Sequence, residues 1–351
     1  MLLSPSSNRV YAGNSPAITT AELTVLAEAG IGSALRAVEP VSVAGVPYLR
    51  VDLEGEDLTA LGQLAAGYAL LEEVAESGSG TTAPPASPLL RPVALPRTEV
   101  LSDDLLTIPK YQGKTNEQLT RVALNVTLAA TAWAGEVGRR RFRVLDPLAG
   151  RGTTLSWALA LGHDAYGVEL RRKEVDAYAA FLTTWLRRSR LKHTIDRHPL
   201  RRHGTVVAHE VAAELSPTRE AWKAGERQSL RLWAADTTQS ADLLGRTQVD
   251  AIVTDAPYGV DHAAGTKPAR GASRPVAPAQ LLAAAVPAWV PALRPGGALG
   301  IAWNTHTLSR EDLTAICGEV GLEVLDDAAH LGLAHHVDAG IHRDVLVARR
   351  P

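Results

Sequence analysis

Val144-Leu145-Asp146-Pro147-Leu148-Ala149-Gly150-Arg151-Gly152-Thr153-Thr154 runs from an apolar stretch through a glycine-rich turn into the start of a helix-forming stretch. Gly150 and Gly152 lack a Cβ, so the chain can turn sharply and a ligand can lie against its backbone. Thr153 and Thr154 fall in the first helical turn, where free amides favour an anionic group. A glycine-rich turn is common and often only structural, so its surroundings decide the reading.

Working outward, apolar strands of four to six residues alternate with amphipathic helices. The strand candidates are Phe142–Leu145, Ala165–Val168, Leu230–Ala234, Ala251–Thr254 and Ala298–Trp303. This spacing suits βα units, and hence an α/β fold with a mostly parallel sheet covered on both faces. Such sheets bind ligands at the carboxyl ends of their strands. Acids stand at those ends: Asp146 at the first, Glu169 at the second and Asp236 at the third. A carboxylate at the position of Glu169 can accept from both hydroxyls of a ribose, and Asp236 would lie near an adenine amino group. The turn has no third glycine after Gly150-Arg151-Gly152, and its Asp146-Pro147 start also points away from nicotinamide binding.

The fourth strand ends in Asp255-Ala256-Pro257-Tyr258-Gly259. An exocyclic amine on a base is a poor nucleophile because its lone pair is delocalised into the ring. Asp255 can accept one N–H and the Ala256 carbonyl the other, which holds the amine in place. Pro257 stiffens the turn, and Tyr258 offers an aromatic face on which a base can stack. Asp255, Ala256, Pro257 and Tyr258 are therefore the candidate catalytic residues.

These motifs together resemble the tRNA guanine-N2 methyltransferases of the THUMP-associated class and their bacterial relatives. The resemblance runs from about Leu101 to the C-terminus and includes Leu293-Arg294-Pro295-Gly296-Gly297-Ala298, the turn before the fifth strand. It implies a Rossmann-like class I methyltransferase domain with a seven-stranded sheet. It also implies S-adenosylmethionine (SAM) as cofactor, a nucleic-acid partner that is RNA before DNA, and a cytoplasmic enzyme. Asp146, Gly150, Gly152, Thr153, Thr154, Glu169 and Asp236 would hold the cofactor. Members carry a helix before the glycine loop that closes over the methionine end of SAM, so Lys114, Thr115 or Asn116 is expected at its carboxylate; helix capping by Thr115 with Gln118 is the competing reading. The sequence departs from the usual motif at Ala256, where a proline is the rule, and no RNA-binding THUMP unit is recognisable.

Residues 1–76 read as a small α+β domain without a chemical motif. Arg9–Ala12 is an expected strand, Thr19 or Thr20 an expected cap of a helix closed by Gly30. Strands follow near Leu35–Val43 and Pro47–Leu53, and a helix is expected from Asp57 through Glu76. Residues 77–98, rich in Ser, Gly, Thr and Pro, read as a linker to the methyltransferase domain over 99–351. A basic insertion over 188–228 carries Arg190, Lys192, Arg197, Arg201 and Arg202, with Arg202-His203-Gly204 as a hairpin turn. Beside the cleft, such a hairpin can hold phosphates.

Composition narrows the classes. The net charge is −2, so any nucleic acid must be met by a local patch rather than by overall charge. The single cysteine, Cys317, excludes an internal disulfide and a cysteine-cluster metal site, and it reads as a buried helix position. No metal-ligand spacing is present. No apolar run reaches the roughly 18–20 residues that span a membrane, and the start lacks the parts of a signal peptide. The alternatives left open are a DNA adenine-N6 or cytosine-N4 methyltransferase, an enzyme acting on a small-molecule or protein amine, and a SAM-binding module without catalysis. The sequence does not indicate the oligomeric state.

Overall fold

The computed structural model describes residues 1–4, 9–74, 89–111, 114–257, 277–338 and 340–351. In chain order the strands are β1 (Leu2–Leu3), β2 (Ala34–Val43), β3 (Val46–Glu54), β4 (Gly67–Val74), β5 (Leu89–Val93), β6 (Arg143–Asp146), β7 (Asp164–Glu169), β8 (Lys192–Arg202), β9 (Thr205–Ser216), β10 (Gln228–Ala234), β11 (Val249–Asp255), β12 (Leu293–Asn304), β13 (Glu323–Val324), β14 (His335–Asp338) and β15 (Ile341–Arg349). The helices are α1 (Arg9–Glu28), α2 (Thr59–Gln63), α3 (Asp104–Thr107), α4 (Glu117–Ala129), α5 (Thr153–Ala160), α6 (Arg172–Arg188), α7 (Arg219–Lys223), α8 (Ser240–Leu244), α9 (Pro278–Trp289), α10 (Arg310–Glu319) and α11 (Ala328–Leu331).

The large sheet has the order β13-β15-β12-β11-β6-β7-β10-β9-β8, with β14 paired to β15. The five strands β10, β7, β6, β11 and β12 are mutually parallel, and the five expected apolar runs map onto them, with Phe142 of the first run standing one residue before β6. Helices α4, α5 and α6 cover one face, and α8, α9 and α10 the other, with a separate apolar cluster on each. Seven strands were expected, but the sheet has ten among the described residues. The hairpin β8–β9 extends one edge antiparallel to β10, and β14 folds back on β15 at the other. The Arg294–Gly297 turn is looped out inside β12: Val249 pairs with Leu293, and Ala251 with Ala298. Cys317 is buried in α10, where burial pushes its thiol up to about 12.

The N-terminal segment departs from expectation at several points. Arg9–Ala12 is the first turn of α1, not a strand. Thr19 and Thr20 lie inside that helix, and their hydroxyls donate to the carbonyls of Ser15 and Pro16 rather than capping it. The helix expected over Asp57–Glu76 stops at Gln63, and Gly67–Val74 becomes β4, paired with β1 and β5. The expected linker contains β5, and 77–88 lie outside the described residues. One apolar cluster runs from Ile18, Leu23 and Leu26 of α1 to Leu119, Val122 and Val126 of α4, across the expected domain boundary. Glu22 seals the contact: the Asn125 side chain donates to it at 2.7 Å and the Ala65 amide at 3.1 Å.

No described helix is long and apolar enough to cross a membrane. Helix α4 lies so close to β12 that a Cβ at Gly300 would overlap the Thr127 hydroxyl. Gly300→Ala is therefore expected to cost about 1–3 kcal/mol, read as a lower urea midpoint with an unchanged slope.

Candidate active site

The parallel strands end together at one edge. Asp146 lies opposite Gly167 in the register, Glu169 opposite Ala234, and Asp255 opposite Ala302. The glycine loop is fastened to the end of β7 by two amides. Ala149 N–H donates to the Val168 carbonyl at 2.9 Å, and Gly150 N–H to Glu169 Oε2 at 3.0 Å. Gly150 has φ +50 and Gly152 φ +76, which favour glycine. A Cβ on Gly152 would sit 2.6 Å from the Tyr178 ring, whereas one on Gly150 would meet nothing within 4 Å. The loop is thus packed from behind at Gly152 and open at Gly150.

Asp146 does not face that space. It is buried, and accepts from Thr254 Oγ1 at 2.7 Å and from the Leu148 amide at 3.0 Å. Burial raises its carboxyl to about 6, against the Thr254, Thr154 and Leu148 donors that pull it down. Its role is to shape the loop. Thr154 is buried beside it, and Thr153 lies 3.3 Å from the Tyr111 hydroxyl. Glu169 also accepts from the Arg171 amide at 2.8 Å, and the next residue, Leu170, is 70% exposed at this edge. Asp236 stands exposed after β10, with one oxygen bonded to the amide and hydroxyl of Thr238.

Asp255 is the chemically distinctive group. The Arg343 guanidinium of β15 donates to its Oδ1, and the Thr115 hydroxyl to its Oδ2 at 2.5 Å. Ala256 is buried, its amide bonded to the Ala302 carbonyl at 2.8 Å, and Pro257 is exposed. Tyr258 lies outside the described residues. Arg343 was not singled out from sequence, although a lone arginine just before the apolar run Val345–Ala348 is a signal that sequence reading can use.

The three residues expected at a SAM carboxylate have different employments. Lys114 Nζ donates to the carbonyls of Leu106 and Pro109 and pairs with Glu117, so its ammonium is already held. Asn116, rather than Thr115, caps α4, accepting from the amides of Gln118 and Leu119. Thr115 turns to Asp255.

The basic set divides. The hairpin turn falls at His203 and Gly204, both at positive φ, as expected. Because Ala234, the last residue of β10, pairs with His209, the hairpin beyond that point overhangs the carboxyl edge. Arg201 and Arg202 are on this overhang, where Arg201 bonds the Gly204 carbonyl and Arg202 the Asp242 carbonyl. Arg197, paired with Val211, sits just short of it. At about 3.3 Å per residue, Lys192 lies roughly 30 Å away at the other end of β8 with Arg190, so these two do not border the cleft. Among the described residues, no group of His, Cys, Asp or Glu is arranged to hold a metal ion.

No family model matches the sequence, and no curated protein matches it. Among solved structures it is similar to TrmN from Thermus thermophilus, at 18% identity and a TM-score of 0.37, over 68% of this chain and 50% of that one. It is also similar to the T. thermophilus 16S rRNA N2 methyltransferase RsmC in complex with AdoMet and guanosine, at 17% identity and a TM-score of 0.36, over 90% of this chain and 50% of that one. A third is the Burkholderia thailandensis 1,6-didemethyltoxoflavin-N1-methyltransferase with S-adenosylhomocysteine bound, at 18% identity and a TM-score of 0.34, over 67% and 79%. The chain spans half the length of the first two.

The raised carboxyl of Asp146 has a consequence for stability. The folded protein holds this proton more tightly than the unfolded chain, whose carboxyl titrates at 3.8. The resulting stabilisation is full below 3.8 and is lost as pH rises through about 6. Glu22, raised by burial to about 7, acts in the same direction. Asp146→Asn is expected to flatten the fall in unfolding free energy between pH 4 and 6.5, leaving the part due to Glu22. Urea titrations of both proteins across that range measure it; parallel curves would refute it.

Proposed function

We propose that this chain is a SAM-dependent methyltransferase acting on the exocyclic amine of a nucleobase, with guanine N2 in RNA as the acceptor. Asp255 carries the reading: a carboxylate at the end of β11, two strands from Glu169 and clamped on both oxygens. Gly150, Gly152 and Glu169 would cradle SAM, with the exposed Leu170 beside them and Asp236 on the adenine side. Bound there, SAM supplies a methyl group already activated on a sulfonium.

The protein then has to hold and orient the amine. Asp255 accepts one N–H and the Ala256 carbonyl the other, which holds the amine in place and stabilises the positive charge that develops on nitrogen as its lone pair meets the methyl. Asp255 also stands where it can take the proton that the amine must lose. Positioning of this kind is worth up to about 7–11 kcal/mol of a barrier. Paired with Arg343, the carboxylate offers only acceptors. The guanine edge presents N1–H beside the N2 amine, two donors that a carboxylate can accept together. Adenine and cytosine present an amine beside a ring-nitrogen acceptor, which a carboxylate meets with repulsion. Arg201 and Arg202 on the overhang supply charge for phosphates next to the cleft. Among RNAs, tRNA in the cytoplasm is the substrate that the sequence resemblance implies.

Labelled SAM is expected to transfer its methyl into RNA as N2-methylguanosine, with kcat falling on the order of 10²–10³-fold in Asp255→Ala. Nucleoside mass spectrometry reads the product. Label found only in DNA, or only in small amines, overturns the RNA assignment. The pair Arg201→Ala/Arg202→Ala is expected to weaken RNA binding and to lower the slope of log K against log salt by about 1–2. An unchanged slope, from fluorescence anisotropy at several salt concentrations, removes the hairpin from the RNA surface.

A further inference from the structure

Arg343 is almost wholly buried, with its side chain 6% exposed, and it ends on a carboxylate that is 18% exposed. It sits on β15 between two other strands, paired in register with Asn304 of β12 and with His335 of β14. His335 in turn meets the Tyr11 ring of α1 edge-on at 5.7 Å. The neighbouring Asp344 is buried too and pairs with Arg310 at 2.7 Å.

As a stability device the Arg343–Asp255 pair is a poor choice. Burying two charges costs desolvation that their attraction only roughly repays, and apolar residues of similar volume do as well or better. What the pair does provide is geometry. A guanidinium is a rigid planar donor that does not lose its charge at working pH. With Oδ1 bonded to Arg343 and Oδ2 to Thr115, the carboxylate cannot rotate about its Cβ–Cγ bond without breaking a bond to one of them.

We propose that Arg343 is a positioning residue for methyl transfer, with Thr115 as its counterpart: together they fix the plane of the Asp255 carboxylate that meets the acceptor base. The proposal rests on the methyltransferase reading above. Arg343 itself touches neither donor nor acceptor; it acts through Asp255.

The test uses the full chain, labelled SAM and a guanine-containing RNA that the wild-type protein methylates. In Arg343→Met, SAM affinity by calorimetry is expected to stay within about threefold, while kcat falls on the order of 10²-fold, the usual effect of a slightly misplaced catalytic group. Arg343→Lys keeps the charge but loses the planar fork, and is expected to recover about tenfold of that loss. The KM for RNA is expected to move little in either variant. Should Arg343→Met fail to fold, Thr115→Val carries the test, since it removes the hydroxyl bond to Oδ2 without stranding a charge; a fall in kcat at unchanged SAM affinity is expected there too. A folded Arg343→Met with kcat within threefold of wild type overturns the proposal, as does Thr115→Val when it is the variant measured. Equal losses in Arg343→Met and Arg343→Lys, accompanied by equal losses of SAM affinity, assign the arginine to structure alone and overturn it as well. A wild-type protein that binds SAM but methylates no acceptor sinks the methyltransferase reading itself, and the positioning role falls with it; that outcome is distinct from an active wild type with an active Arg343→Met.

Discussion

Two backbone amides of the glycine loop are bonded to the end of β7, and the rest of the site depends on that attachment. Ala149 reaches the Val168 carbonyl and Gly150 the Glu169 carboxylate. Both need β7 in its observed register, with Asp146 beside Gly167 and Ala234 beside Glu169. Side chains alternate along a strand, so a slip of one residue would turn Glu169 away and bring a side chain to the place of Gly167. A Cβ there would lie 2.9 Å from the Cδ1 atoms of both Leu155 and Leu232, so those side chains would have to shift. The small residue lets α5 and β10 close over β7. That packing sets the height at which the loop leaves the sheet.

Two acids at this edge show how environment divides labour. Asp146 receives hydroxyl and amide donors only, in a buried niche, and its carboxyl is pushed up to about 6. Asp255 receives a guanidinium and a hydroxyl and remains partly open to solvent. The first acid holds a turn together, and the second stands at the strand end, 18% exposed. Thr254 joins them. Its hydroxyl donates to Asp146, while its chain neighbour is Asp255, so the glycine loop and the chemical strand are referenced to each other by one short bond.

The central sheet was legible because buried parallel strands leave clear apolar runs, and the loop because its two glycines stand between one such run and a helix start, with acids at the neighbouring strand ends. The hairpin turn at His203-Gly204 was legible for the same local reason: it needs positive φ. Three things were not. Val10 and Tyr11 favour strands by local preference, yet they open α1, since that helix is selected by its packing on α4. Gly67–Val74 is composed of residues compatible with helix, and only the partners β1 and β5 make it a strand. The Arg343–Asp255 pair spans 88 positions and leaves no local pattern at all. The basic residues of the insertion were readable as a set but not as a surface, because an 11-residue strand carries its two ends far apart.

The N-terminal segment carries no chemical motif, but Thr115 and Arg343 reach Asp255 from elements on which that segment packs. Thr115 stands between Lys114, whose ammonium is fixed by two carbonyls and Glu117, and Asn116, which caps α4. Its position is therefore set by α4, and α4 is bound to the segment through Asn125, Glu22 and the Gln63 carbonyl. Arg343 stands beside His335, which packs against Tyr11 of α1, and Asn14 of the same helix donates to the His336 carbonyl at 3.0 Å. Helix α1 thus braces the two sides of one carboxylate, by α4 on the Thr115 side and by β14 on the Arg343 side. A segment that merely shielded apolar surface would need no buried glutamate at its contact with α4. Glu22, raised to about 7 by its burial, is an expensive group to keep there, and its two donors fix the angle at which α1 meets α4 in a way that leucine packing alone would not.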